Sequence, residues 1–425
     1  MLFSHLPLPF LLPFLSPLPC ISLSPTSPHG VVLPLHPPPA AAAGPILQER
    51  PFVVVWNMPT ARCHELYNIH LDLSDFDIVE NRQQLFQGQK MTIFYRDRLG
   101  KYPYLSRDGS KVNGGIPQLS DLSAHLSLAL MQMSGSLQPN FTGLAVIDWE
   151  EWRPLWERNF GTKMEYQRQS KLLVRQERPD LSERATTLMT LRLAGRDRPK
   201  GLWGFYGFPA YENYTGRCHG GTKKQNDRLS WLWRQSTALY PSIYLPQRLA
   251  GSTDAALMVR HRLLEALRVA SVWRHGNNTD HATPVLPYAR IAFAHTLTFL
   301  NKTDLVHTLG ESAALGAAGV VLWGELKFCI LLRDYVHTVL GPFVQSLRSD
   351  TKHCSLQLCN GNGRCARRRP SSSHMVSSVY IRGGQLAARG PHAAFALTLC
   401  GPQVNFQKSI CRSSVKGGCK GTLWQ

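Results

Sequence analysis

After Pro51 the chain repeats one pattern: a short, almost wholly apolar run, then a longer segment that reads as helix and loop. The runs fall at 52–56, 91–95, 143–147, 202–206, 242–244, 285–291 and 319–323. Most are rich in β-branched or aromatic residues and lack the alternation of a half-exposed strand. Each therefore reads as a strand buried on both faces. A spacing of roughly 35 to 60 residues leaves room for a crossover helix between parallel neighbours. Two such helices are legible. Residues 258–273 place Val259, Leu263, Leu267 and Ala270 on one face, and Thr303 is positioned to cap a helix carrying Leu305, Val306 and Leu309. This alternation predicts the α/β class, as a TIM-like (β/α) barrel of about seven strands. A doubly wound open sheet is the alternative, but no glycine-rich phosphate loop follows any run.

The runs end alike. Trp56, Tyr95, Asp148 with Glu150, Tyr206, Tyr244 and Trp323 stand at the carboxyl ends of the predicted strands. In a parallel barrel those ends converge on one face, where active sites lie. One aromatic at one strand end is usually core. Several around a carboxylate pair suggest a sugar cleft, because pyranose C–H faces pack on aromatic rings.

The segment Gly143-Leu-Ala-Val-Ile-Asp-Trp-Glu-Glu-Trp-Arg153 carries the chemistry. Strand side chains alternate, so Asp148 and Glu150 point one way and Trp149 the other. Each carboxylate disfavours ionisation of its neighbour, and apolar surroundings act in the same direction. One of the pair is then able to keep a proton near neutral pH and serve as general acid. An isolated D-x-E is as common at a solvated strand end; the apolar run before it and the tryptophans around it favour chemistry. The arrangement also suits a retaining mechanism in which the substrate's own acetamido group is the nucleophile. Glu150 would protonate the leaving oxygen, and Asp148 would orient the acetamide.

The formal charge is +19, from 47 basic and 28 acidic residues, which favours an anionic partner. Neither zinc-finger spacing nor an RNA-recognition signature accompanies it, so nucleic acid is not the expected partner. No internal stretch is long and apolar enough to predict a transmembrane span. The 10 cysteines do not pair as two CxxC motifs, which argues against a structural zinc. Cys354, Cys359 and Cys365, then Cys400, Cys411 and Cys419, crowd towards the C-terminus and predict a small disulfide-stapled module. Asn140, Asn213, Asn277 and Asn301 stand in glycosylation sequons and, with the cysteines, point to the secretory route. Residues 1–45 read as a signal peptide and a disordered Pro-rich lead-in. The catalytic barrel is expected over 46–345 and the cysteine module, divergent or incomplete, over 350–425.

The segment "DWEEWRP" at 148–154 resembles the signature of the animal hyaluronidases, glycoside hydrolase family 56. "PFVVVWN" at 51–57, "MTIFYRDRLGKYPY" at 91–104, "NGGIPQ" at 113–118, "GLWGFYGFP" at 201–209, "LYPSIYLP" at 239–246, "LGESAALGAAGVVLW" at 309–323 and "CNGNGRCARR" at 359–368 resemble the same family in the same order. The resemblance implies endohydrolysis of β-1,4 bonds between N-acetylglucosamine and glucuronate in hyaluronan, with some action on chondroitin. It assigns the proton donor to Glu150 and acetamide positioning to Asp148. Tyr95, Tyr206, Tyr244 and Trp323 resemble substrate-groove residues, and Arg153 supports the acidic pair. No metal or organic cofactor is implied. A monomer, secreted or lysosomal, is expected. The resemblance also implies a Cys63–Cys329 disulfide, a Cys354–Cys365 disulfide, and an EGF-like character for the module that includes Cys359.

Some segments depart from the family. The stretch between Arg153 and Trp203 is short and predicts a truncated barrel helix. "GFPAYENYTGRC" lacks the cysteine that the family places after the proline, which leaves Cys218 without an expected partner, and the stretch between Trp323 and Cys329 is also shortened. Two competing readings follow: a hyaluronan-binding relative with little or no turnover, and a chitinase-like hydrolase. Chitin is uncharged and gives the basic excess no purpose.

Overall fold

The computed structural model describes residues 46–376, apart from 49, 177–183, 211–219, 274–282, 326–327, 360, 362, 368 and 374, together with two short strands at 381–382 and 385–386. Six strands form most of a parallel barrel wall: β1 (Val53–Asn57), β2 (Met91–Tyr95), β3 (Leu144–Asp148), β4 (Leu202–Phe205), β5 (Tyr288–Arg290) and β6 (Gly319–Trp323). They pair as β2–β3–β4 and β1–β6–β5, always parallel.

Two bridged segments carry the wall further round. Between β4 and β5, Tyr206 bridges Tyr240, Leu239 bridges Val285, and Ser242 bridges Tyr288. Beside β1, the N–H of Trp56 donates to Val79 O at 2.7 Å, and the N–H of Val79 to Val54 O at 2.8 Å. From there Asn81 reaches β2: its Nδ2 donates to Met91 O at 2.7 Å, and its Oδ1 accepts from the N–H groups of Lys90 and Met91 at 3.0 and 3.1 Å. The Val79 segment goes beyond the strands that the apolar pattern predicts. It lies in Asp77-Ile78-Val79-Glu80, whose flanking charges leave no apolar run to read.

Strand alternation sorts the side chains into two cores. Val53, Val55, Met91, Ile93, Leu144, Val146, Leu202, Leu286, Tyr288 and Val321 fill the barrel interior. The intervening Val54, Trp56, Phe94, Ala145, Ile147, Trp203, Phe205, Ala289, Val320 and Leu322 belong to the outer core beneath the helices. Gly204 is required by this packing, since a Cβ there would collide with Ala238 O and meet the Tyr240 ring at 3.0 Å.

The helix Thr253–Val272 buries Met258, Val259, Leu263, Ala266, Val269 and Ala270, close to the face the sequence predicts. Two expectations are corrected. The short stretch between Arg153 and Trp203 carries two helices, Met164–Gln176 and the 14-residue Arg184–Asp197, which leads into β4. Its inner face uses Thr186, Thr187 and Thr190 beside Leu191 and Ala194, so it lacks the aliphatic stripe by which a helix is read. The next helix is capped by Asn301 rather than Thr303: Asn301 Oδ1 accepts from the N–H of Asp304 at 3.0 Å. At the C-terminal side, the helix Gly341–Cys359 runs through residue 350, where the cysteine module was expected to begin. No helix among the described residues is long and apolar enough to cross a membrane.

Candidate active site

The two-residue alternation that fills the barrel decides which residue each strand presents at its carboxyl end. The inward series are 53-55-57, 91-93-95, 144-146-148, 202-204-206, 286-288-290 and 319-321-323. The topmost layer is therefore Asn57, Tyr95, Asp148, Tyr206, Arg290 and Trp323. Tyr95 lies in register with Asp148, and Asn57 and Arg290 with Trp323. Trp56, expected at this mouth, is one residue out of phase. It is 2% exposed in the outer core, where its indole N–H donates to Thr60 Oγ1 at 2.9 Å.

The aromatic residues predicted from strand ends meet one another. Tyr206 lies 6.1 Å from Tyr244 and 5.1 Å edge-on from Tyr288, and Tyr244 stacks on Trp323 at 6.0 Å. Tyr95 stacks on Phe86 at 6.1 Å. Burial pushes the Tyr95 hydroxyl up to about 12 and that of Tyr206 above its ordinary value, so both remain protonated hydrogen-bond donors. The Arg290 guanidinium lies over Trp323 at 5.2 Å and over Tyr244 at 5.8 Å.

Asp148 and Glu150 occupy different environments. Asp148 is largely enclosed, and its Oδ1 is buried with no hydrogen-bond partner. Burial, then the charges of Glu150 and Glu151, push its carboxyl up to about 8, with Arg153 opposing them. At neutral pH the geometry favours a proton on Asp148. The Glu150 side chain is 56% exposed, with Arg153 Nη2 at 3.7 Å from its Oε1. Arg153 Nη1 also donates to Glu150 O at 3.0 Å, and Lys163 Nζ donates to the same oxygen. The loop is pinned by Asn159, whose Oδ1 accepts from the N–H of Arg153 at 2.6 Å and whose Nδ2 donates to Arg153 O at 2.8 Å. Trp149 turns to the other face and packs on Tyr102 at 4.6 Å and on Phe205 and His125 at 5.6 Å, which fixes the backbone between the carboxylates.

Glu150, Arg153 and Tyr206 line a cleft of about 270 Å³ together with Arg158, Phe160, Lys163 and Arg262. Of its cations, Arg153 was expected from the resemblance, whereas Arg158, Lys163 and Arg262 were not legible as site residues. Lys163 follows Glu150 by thirteen positions, while Arg262 lies on a distant helix and reaches the mouth by donating to Ser242 O at 2.7 Å.

Cys63 is bonded to Cys329, and Cys354 to Cys365. Cys359 ends the Gly341–Cys359 helix. Asn140 and Asn301 are exposed. Asn213, Asn277, Cys218, Cys400, Cys411 and Cys419 lie outside the described residues. Among the described residues no group of three His, Cys, Asp or Glu side chains is placed to hold a metal.

Residues 41–382 match the family model described as hyaluronidase. The chain is 47% identical over 355 residues to hyaluronidase-3 of Homo sapiens, covering 77% of this chain and 84% of that protein. It is 45% identical over 387 residues to hyaluronidase-1 of Homo sapiens, covering 82% and 87%. Among solved structures it is similar to bee venom hyaluronidase in complex with a hyaluronic acid tetramer, at 30% identity and a TM-score of 0.62, covering 69% of this chain and 98% of that one.

Proposed function

The chain belongs to the hyaluronidase family of glycoside hydrolases, and on that premise we propose that it is an endo-β-N-acetylhexosaminidase cleaving β-1,4 bonds between N-acetylglucosamine and glucuronate in hyaluronan and chondroitin. The observation that carries this reading is the buried, unpartnered carboxyl of Asp148 beside the accessible Glu150, at a mouth lined by aromatic rings and cations. Secretion or delivery to the lysosome belongs to the same reading.

The carboxyl pair works as one unit that holds a single proton. An acetamide N–H entering the mouth gives Asp148 Oδ1 the donor it lacks, which favours the ionised form. The sugar covers Glu150, and Glu150 takes over the proton. Glu150 then protonates the glycosidic oxygen while the acetamide carbonyl oxygen attacks the anomeric carbon. The bond to the leaving sugar breaks, and an oxazolinium ring forms on the retained one. Asp148 carries the compensating negative charge beside the acetamide nitrogen. Water next attacks the anomeric carbon as Glu150 accepts its proton, the ring opens, and the configuration at that carbon is retained. Tyr206, Tyr244 and Trp323 offer faces for pyranose C–H groups. Arg153, Lys163, Arg262 and Arg290 supply positive charge for glucuronate.

Size-exclusion analysis of hyaluronan after incubation with the purified protein tests this across acidic to neutral pH. Shortened chains from the wild type and intact chains from Glu150→Gln are expected, with chitin oligomers untouched. Intact hyaluronan from a folded wild-type protein would replace this reading with a binding relative.

A further inference from the structure

We infer that Asn301 carries an N-linked glycan whose first N-acetylglucosamine stacks on the ring of Phe299. The inference rests on the reading that the chain enters the secretory pathway. Asn301-Lys302-Thr303 is a sequon, and all three residues are exposed. The Asn301 amide is already divided between two tasks. Its Oδ1 caps the following helix by accepting from the N–H of Asp304 at 3.0 Å, which orients the side chain and leaves Nδ2 as the atom that an oligosaccharide would occupy. Glycosylation and capping are therefore compatible on one side chain.

The backbone decides where the sugar goes. Asn301 is extended, with φ −78° and ψ 176°. Leu300 donates to Ile291 O at 2.8 Å, and Phe299 makes an isolated antiparallel bridge with Ala292, which holds the chain extended into Asn301. Residues two apart along an extended backbone share a face. The Phe299 ring is thus on the side from which Asn301 projects. One face of that ring stacks on Tyr335 at 4.4 Å and 12°, which holds it flat, yet Phe299 stays partly exposed. A flat, anchored, half-open aromatic ring beside an extended asparagine suits the C–H face of a pyranose. The exposed sequon at Asn140 offers the contrast, because Gln138 stands two residues before it.

The test uses the full chain expressed in secreting eukaryotic cells. Glycopeptide mass analysis should find Asn301 and Asn140 both occupied. Enzymatic release of the glycan converts Asn301 to aspartate, which keeps the capping oxygen, and should lower Tm by about 1–3 °C. The same release from Phe299→Leu should change Tm by less than about 1 °C, so the shortfall reads the sugar–ring contact. Thr303→Ala, which keeps Asn301 and its cap, should reproduce the deglycosylated Tm. Occupancy at Asn140 without Asn301 would overturn the site and leave secretion standing. Occupancy with equal Tm losses in both chains would overturn the stacking. A chain retained in the cytosol without any glycan would overturn the secretory reading and this inference with it.

Discussion

Two buried carboxylates define opposite uses of the same group. Asp148, at the mouth, has an oxygen buried without a partner, and its proton is held up to about 8. Glu311, at the start of the helix Glu311–Ala314, is fully buried and enclosed by two guanidinium groups. Arg260 Nε lies 2.7 Å from its Oε1, and Arg367 approaches both oxygens, at 2.8 and 2.5 Å. Arg367 follows the Cys354–Cys365 bond, and Arg260 Nη1 also donates to Ser371 O at 3.0 Å, so this cluster fastens the segment after residue 363 onto the barrel. Burial alone does not define a catalytic acid. A buried carboxylate matched by two cations is a clamp, whereas one left without a donor keeps its proton and is available to a substrate.

The comparison is broken most directly at the mouth. Glu150→Gln should lower kcat by ~10²–10⁴-fold while leaving Tm within about 1 °C, because a half-exposed side chain contributes little packing. Comparable activity in the variant would remove Glu150 from the chemistry. At the clamp the consequences invert. Glu311→Gln leaves two buried guanidinium groups facing a neutral amide and should cost about 3–5 kcal/mol of stability, with unchanged turnover per folded molecule. A melting curve that does not move would show that the clamp is not structural.

A third experiment separates the two carboxyls by pH. The folded-state value of Asp148, about 8, lies above its ordinary 3.8, so the folded chain binds that proton more tightly than the unfolded chain does. The stabilisation is fully present below pH about 4 and is lost as pH rises through about 8. Chemical denaturation of wild type should therefore weaken with rising pH across that window, and Asp148→Asn should flatten the slope. Identical slopes would mean that Asp148 is not protonated in the folded chain. The smallest expected effect is at the cleft wall. Arg262→Ala should raise KM for hyaluronan by about tenfold at low ionic strength and by less at high salt.

The order of strands, the existence of the barrel and the place of Asp148, Glu150, Tyr95, Tyr206, Tyr244 and Trp323 at one mouth were legible because apolar runs and their terminal residues are local properties of the chain. Phase was harder. A strand buried on both faces is apolar at every position, so nothing local distinguishes inward Asn57 from outward Trp56; the helices packed outside the wall decide it. The helix Arg184–Asp197 carries a weak sequence signal for a related reason, since its buried threonines satisfy their hydroxyls locally, as Thr190 Oγ1 does on Thr186 O at 2.6 Å, and resemble a surface face in sequence. Only the tertiary structure could assemble the cations, because Arg153 comes from the loop after β3, Arg262 from the Thr253–Val272 helix and Arg290 from the end of β5. It alone distinguishes Asp148 from Glu311 as well, since a carboxyl's charge depends on the partners and solvent that folding brings to it, and those are not written beside it in the chain.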